Sequence, residues 1–176
     1  TKFLKKRILE KKINHKFLKK SILVTYHPIS NSLSKTKNEL KNLLFALNKL
    51  NNIDILFTKP NNDHGSEIVL KMIKNFIKKN KRRAKLYNSF GHEIYYSTVR
   101  KVDCVIGNSS SGLTEVPFLG TTSVNIGVRQ SGRVSLENII NINSNKDVIF
   151  TTITKALCGK LKNKDIKNNI YFKNGA

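Results

Sequence analysis

Between residues 21 and 142 the chain repeatedly sets a short apolar run, rich in β-branched and aromatic residues, ahead of an amphipathic stretch of about ten to fifteen residues. Few folds accept that alternation. The apolar runs are too short for buried helices and suit strands, while the longer stretches carry their apolar residues at helical spacing. Strands separated by helices do not pair as hairpins; they pair parallel, with the crossover helices covering the sheet. The expectation is an α/β fold with a parallel sheet and helices on both faces.

In detail, residues 22–26 (ILVTY), 53–58 (IDILFT), 84–87, 102–106 (VDCVI), 122–126 (TSVNI) and 139–142 read as strands. Helices are expected over 35–50, burying Leu40, Leu43, Leu44 and Leu47, and over 66–79, burying Ile68, Met72, Ile73 and Phe76. Shorter helices are expected over 93–101 and 113–119. The basic opening stretch 1–20, with Phe3, Leu4, Ile8, Leu9 and Ile13 near helical spacing, reads as a leading helix or inter-domain segment. Residues 21–145 form the main domain, and 146–176 read as C-terminal helices. The chain begins at Thr1 rather than Met, so the expectation is a piece of a longer protein.

Composition bears on partners. With 33 Lys+Arg against 11 Asp+Glu the net charge is +22. The positive residues are overwhelmingly lysine, and arginine is confined to Arg7, Arg82, Arg83, Arg100, Arg129 and Arg133, whereas base and phosphate readers favour arginine forks. Asparagine is also abundant, so a bias toward Lys and Asn accounts for the charge and nucleic acid is not the expected partner. What remains is an attraction for anionic ligands. No apolar run approaches the roughly 20 residues of a membrane helix, and Cys104 and Cys158 show neither metal-ligand nor disulfide spacing, which points to a reducing cytoplasm. No histidine and cysteine constellation supports a metal. Neither a dinucleotide fingerprint nor a P-loop occurs, and no cofactor is expected.

Parallel sheets place ligands at the loops beyond the carboxyl ends of their strands, and the unusual residues sit there. Gly107-Asn108-Ser109-Ser110-Ser111-Gly112-Leu113-Thr114-Glu115 puts hydroxyls and unpaired backbone N–H groups at a helix start, a setting for phosphate. Glu115, about one turn in, can accept both hydrogen bonds of a vicinal diol such as a ribose. Alternatively, Ser109 or Ser110 only caps the helix and Glu115 complements its dipole. Asn125-Ile126-Gly127-Val128-Arg129-Gln130-Ser131-Gly132-Arg133 concentrates scarce arginine in another strand-end loop, where anion or carboxylate contact is expected. His27, after the first strand, either caps its loop or binds or protonates a phosphate leaving group.

Together with Thr25-Tyr26-His27-Pro28-Ile29 and Pro60-Asn61-Asn62-Asp63-His64-Gly65, these two blocks resemble, in order and spacing, the hydrolysing UDP-N-acetylglucosamine 2-epimerases of sialic-acid biosynthesis over residues 20–142. The resemblance implies the C-terminal half of a glycosyltransferase-B-like fold, a Rossmann-like unit that holds UDP across a cleft from a missing N-terminal half. It implies UDP contacts for His27, Asn61, Ser109, Ser110, Glu115 and Arg129 and places Ser89 in a loop against the nucleotide; a catalytic role for His27 at the leaving-group phosphate is expected from its own chemistry. In the family, UDP is eliminated across C1–C2 to a glycal, and water adds to give N-acetylmannosamine and UDP. The proton-transferring carboxylates come mainly from the first half, so this chain is expected to bind without catalysing. Family members are often homo-oligomers. Alternatives are the same reaction on a UDP-diacetamido-trideoxy sugar, and a non-catalytic module binding UDP or nucleic acid.

Overall fold

The computed structural model describes residues 3–29, 32–132 and 139–159. The expected strands form one six-stranded sheet: β1 (Ser21–Thr25), β2 (Asp54–Thr58), β3 (Ala84–Tyr87), β4 (Cys104–Gly107), β5 (Thr122–Ile126) and β6 (Ile139–Ile142). Every neighbouring pair is parallel, and the order is β3-β2-β1-β4-β5-β6. The crossovers are α2 (Leu33–Asn48), α3 (Ser66–Lys79), α4 (Gly91–Lys101) and the short α5 (Ser111–Thr114), with α1 (Lys6–Lys12) before the sheet and α6 (Lys146–Leu157) after it.

Period-two alternation sorts the strand side chains between two apolar layers. Ile22, Val24, Ile55, Phe57, Cys104, Ile106, Val124 and Ile126 face the layer of α2, α3 and α6. Leu23, Leu56 and Val105 face the opposite layer with Leu9, Phe90, Val99 and Val116. Both faces being covered explains why the strands read as continuous apolar runs. Each fully buried Leu, Ile or Phe contributes roughly 1.5–3 kcal/mol of transfer free energy. Cys104 is buried and unpaired, and burial pushes its thiol up to about 12.

Several boundaries differ from expectation. The opening helix covers only Lys6–Lys12, because Asn14 turns left-handed (φ 48°) and the carbonyls of Ile13 and Asn14 are taken by Lys85 Nζ at 3.3 and 2.6 Å. Leu9, Ile13 and Phe17 of this segment are buried in the second layer. On α3 the buried face is Val69, Ile73 and Phe76, with Ile68 and Met72 only half-buried, so the stripe is rotated by one position at its start. Leu44 is likewise half-buried. Strand β4 begins at Cys104 rather than Val102, because Val102 caps α4 and Asp103 binds the Ser21 amide (2.8 Å) and Lys20 (3.0 Å). The helix expected over 113–119 is two pieces, α5 and a 3-10 turn at Pro117–Leu119, since Pro117 has no N–H to continue the ladder. Of the expected C-terminal helices, α6 buries Ile149, Ile153, Ala156 and Leu157 in the first layer, and the part beyond residue 159 lies outside the described residues.

The topology positions the site. The order in which strands are added reverses between β1 and β4: β1 leads outward to β2 and β3, β4 outward on the other side to β5 and β6. Their loops part at the carboxyl edge and leave a crevice there.

Candidate functional site

The crevice is built around Gly107 and Asn108. Gly107 (φ 151°) lies so close to β1 that an added Cβ would stand 1.9 Å from the Thr25 carbonyl oxygen. Asn108 is fully buried and completes the β1 edge with its side chain: its Oδ1 accepts from the His27 N–H (2.7 Å) and its Nδ2 donates to the His27 carbonyl (2.8 Å). The Asn108 carbonyl in turn accepts from Arg129 Nη1 (3.1 Å) and Gln130 Nε2 (2.7 Å). Arg129 Nε donates to Pro28 O (3.1 Å), and its Nη2 lies 3.8 Å from Asp63. One asparagine and one arginine therefore tie together the loops after β1, β2, β4 and β5.

Above this knot lies a cavity of about 320 Å³, within the range of small-molecule sites. Its lining includes His27, Lys59, Asn61, Ser89, Phe90, His92, Tyr95, Ser109, Ser111 and Glu115. A larger groove of about 650 Å³ between α2 and α3 contains no strand-end residue. Five of the sequence-selected residues, His27, Asn61, Ser89, Ser109 and Glu115, thus meet in one cavity. Ser110 and Arg129 are not in its lining: Ser110 is exposed with its carbonyl capped by Thr114 Oγ1 (3.1 Å), and Arg129 lies behind the loops it ties. Arg133 lies outside the described residues.

His27 is 8% exposed, and its Nδ1 accepts the Asn61 backbone N–H at 3.1 Å. That bond places the ring proton on Nε2, so the neutral ring is a donor. Burial first, and the nearby Arg129 charge second, lower its pKa to about 4, with Asp63 opposing. Because the folded value lies below the unfolded one, the unfolded chain binds more protons between these two values. His27 therefore contributes stability that is complete above about pH 6.5 and is lost as pH falls toward 4. In unfolding titrations across that window, His27→Gln is expected to flatten the pH slope by on the order of 2 kcal/mol relative to the parent; parallel slopes would contradict the buried neutral ring.

Ser111 is marked in the sequence only as part of its serine loop, and sequence reasoning gives no role to Asn108, Tyr95, Lys59 or His92. The Tyr95 phenol lies 2.7 Å from Ser111 Oγ, which lies 3.2 Å from Ser109 Oγ. Burial chiefly raises Tyr95 to about 12, so the phenol keeps its proton. Tyr96 is also raised, by burial and then by the charge of Glu115, which it faces. Lys59 adds a cation at the cavity wall. The arrangement offers hydroxyl, imidazole and ammonium donors for an anion and one carboxylate, Glu115, for a hydroxylated partner. Among the described residues no group of three or more His, Cys, Asp or Glu side chains could hold a metal ion, and no helix is long and apolar enough to cross a membrane.

Fold and site together define a Rossmann-like α/β unit with a polar crevice at its switch point. The chain belongs to the UDP-N-acetylglucosamine 2-epimerase family, whose model matches residues 1–176. It is 38% identical over 168 residues to the GDP/UDP-N,N'-diacetylbacillosamine 2-epimerase (hydrolyzing) of Campylobacter jejuni subsp. jejuni serotype O:2, covering 95% of this chain and 42% of that protein. It is 34% identical over 161 residues to polysialic acid biosynthesis protein P7 of Escherichia coli, covering 90% of this chain and 41% of that protein. Among solved structures, the co-structure of S. aureus MnaA with UDP matches with a TM-score of 0.62 at 14% identity, covering 90% of this chain and 41% of that one. At that identity the likeness establishes the fold, one Rossmann-like unit of a glycosyltransferase-B-like architecture. The chain spans about two fifths of the length of the curated relatives it matches, in their C-terminal half.

Proposed function

We propose that this chain is the UDP-binding half of a hydrolysing UDP-N-acetylglucosamine 2-epimerase, which converts UDP-N-acetylglucosamine to N-acetylmannosamine and UDP for sialic-acid-type sugars. The observation that carries the reading is the convergence of His27, Asn61, Ser89, Ser109 and Glu115, drawn from four strand-end loops, on one cavity. In this reading the neutral His27 donates its Nε2 proton as a hydrogen bond to the leaving diphosphate, stabilising negative charge as the C1–O bond breaks. Ser109 and, from the exposed side, Ser110 bind the diphosphate, Glu115 accepts both ribose hydroxyls, and Asn61 and Ser89 flank the nucleotide. Arg129 acts through the loops it ties and through its charge. The base that removes the C2 proton and the acid that completes the elimination belong to the missing N-terminal half, so the chain alone binds without turnover. Free thiols at Cys104 and Cys158 fit a cytoplasmic setting, and the family resemblance supports a homo-oligomer.

Calorimetric titration of UDP into the chain tests this directly. Saturable binding is expected, with Glu115→Ala weakening it about tenfold to a hundredfold, the worth of a charge-assisted pair of hydrogen bonds. Absence of UDP binding, or an affinity untouched by Glu115→Ala, would overturn the reading. A second reading, a UDP-diacetamido-trideoxy sugar as substrate, is favoured by the name of the Campylobacter relative; competition between the two UDP-sugars separates them once the full-length enzyme is assayed.

A further inference from the structure

The hydroxyls of Tyr95, Ser111 and Ser109 form a chain that the functional reading leaves unused. Ser111 Oγ stands between two partners, Tyr95 Oη at 2.7 Å and Ser109 Oγ at 3.2 Å. The Ser111 backbone N–H also points at Ser109 Oγ, at 3.4 Å. A serine hydroxyl has one proton to give, so the direction of the chain decides what Ser109 presents to the cavity. A phenol is a stronger donor than an aliphatic alcohol, and Tyr95 has no other hydrogen-bond acceptor among the described residues; Glu115 reaches it only through its charge. Tyr95 therefore donates to Ser111, Ser111 donates to Ser109, and Ser109, accepting from Ser111 Oγ and N, keeps its own proton free for the cavity. The reverse direction would turn Ser109 lone pairs toward the ligand, which repels a phosphate.

We infer that Tyr95 is a positioning residue that sets the polarity of the Tyr95–Ser111–Ser109 hydroxyl chain, so that Ser109 meets the substrate diphosphate as a hydrogen-bond donor. The inference rests on the UDP-binding reading of the cavity. It places the residue on α4, an element with no other assigned part in anion binding, and makes the second turn of that helix contribute to selectivity for phosphorylated over unphosphorylated nucleosides. The ordered chain also cooperates, since each hydroxyl that donates becomes a better acceptor.

The test compares UDP and uridine as calorimetric ligands for the parent chain, Tyr95→Phe, Ser111→Ala and the double variant. Tyr95→Phe keeps the ring and its packing and removes one proton. It is expected to weaken UDP about fivefold to tenfold while leaving uridine affinity within about twofold. The double variant is expected to bind UDP no more weakly than Ser111→Ala alone, because the phenol acts only through Ser111. Equal losses for UDP and uridine, or no loss for UDP, would overturn the inference while the UDP-binding reading stands. Additive losses in the double variant would do the same. Failure of the parent chain to bind UDP would overturn the reading of the cavity itself, and the inference with it.

Discussion

Gly107→Ala is expected to destabilise the chain by roughly 4 kcal/mol or more, near the top of what single substitutions do. Its Cβ would stand 1.9 Å from the Thr25 carbonyl oxygen and 2.6 Å from the Thr25 carbonyl carbon. Both atoms belong to the backbone of β1, which pairs with β4 at this position, so no side chain can move aside and the two central strands must separate. The backbone adds a second cost, since φ 151° is a conformation that L side chains rarely adopt. Urea unfolding measures the sum, and Gly91→Ala separates its parts: Gly91 has φ 63° but nothing within 4 Å of its added Cβ. That control is expected to cost about 1–2 kcal/mol, the left-handed penalty alone. A similar loss at both positions would mean that β1 and β4 yield to the methyl group and that the close approach at the switch point is not a constraint.

Asn108→Ala is expected to cost roughly 3–4 kcal/mol and to lower UDP affinity as well. The substitution leaves the buried N–H and C=O of His27 without the partners they have at 2.7 and 2.8 Å. Each orphaned backbone group carries a penalty of about 1–3 kcal/mol, more than the net worth of the bond itself. The loss is local in origin, so it is visible in amide exchange: the His27 N–H is expected to exchange by local opening in the variant and only with the surrounding sheet in the parent. The effect on binding follows from the same bonds, because the His27 ring and the Ser109 hydroxyl are carried by the two loops that Asn108 joins. Unchanged exchange at His27 would show that water or a neighbour replaces the amide.

The sheet was legible in the sequence because its strands are buried on both faces, and such strands declare themselves as unbroken β-branched runs. The starting points were less legible. Val102 looks like the first residue of its apolar run, yet its amide belongs to the end of α4, and nothing in VDCVI marks that division. On α3, Ile68 and Val69 are adjacent apolar residues, and only the direction of the helix against the sheet decides that Val69 is the buried one. The strand-end loops were legible as a set, since glycine, serine, asparagine and histidine stand out against a Lys-rich background. Which side chain of each loop faces inward was not. Ser109 and Ser110 precede α5, which begins at Ser111, so no helical period orders the three serines, and Ser109 and Ser111 line the cavity while Ser110 does not. Arg129 reads as an anion ligand from its scarcity; its Nε and Nη1 are engaged by the carbonyls of Pro28 and Asn108. Tyr95 gave no signal at all, because a tyrosine on an amphipathic helix is ordinarily core.

The reversal of strand order between β1 and β4 also shapes how the chain assembles. Strand β1 finds β2 across a single crossover, but its other edge pairs with β4, register Ile22 to Cys104, only after two further strands and their helices have been made. Until β4 pairs with it, one edge of β1 is open, and an open apolar edge is a template for wrong pairing. Closing that seam brings Gly107 against Thr25 and Asn108 against His27, so the pairing that joins the two halves of the sheet also builds the floor of the crevice. In this architecture the contact that unites the two halves of the sheet is the same one that shapes the crevice between their loops.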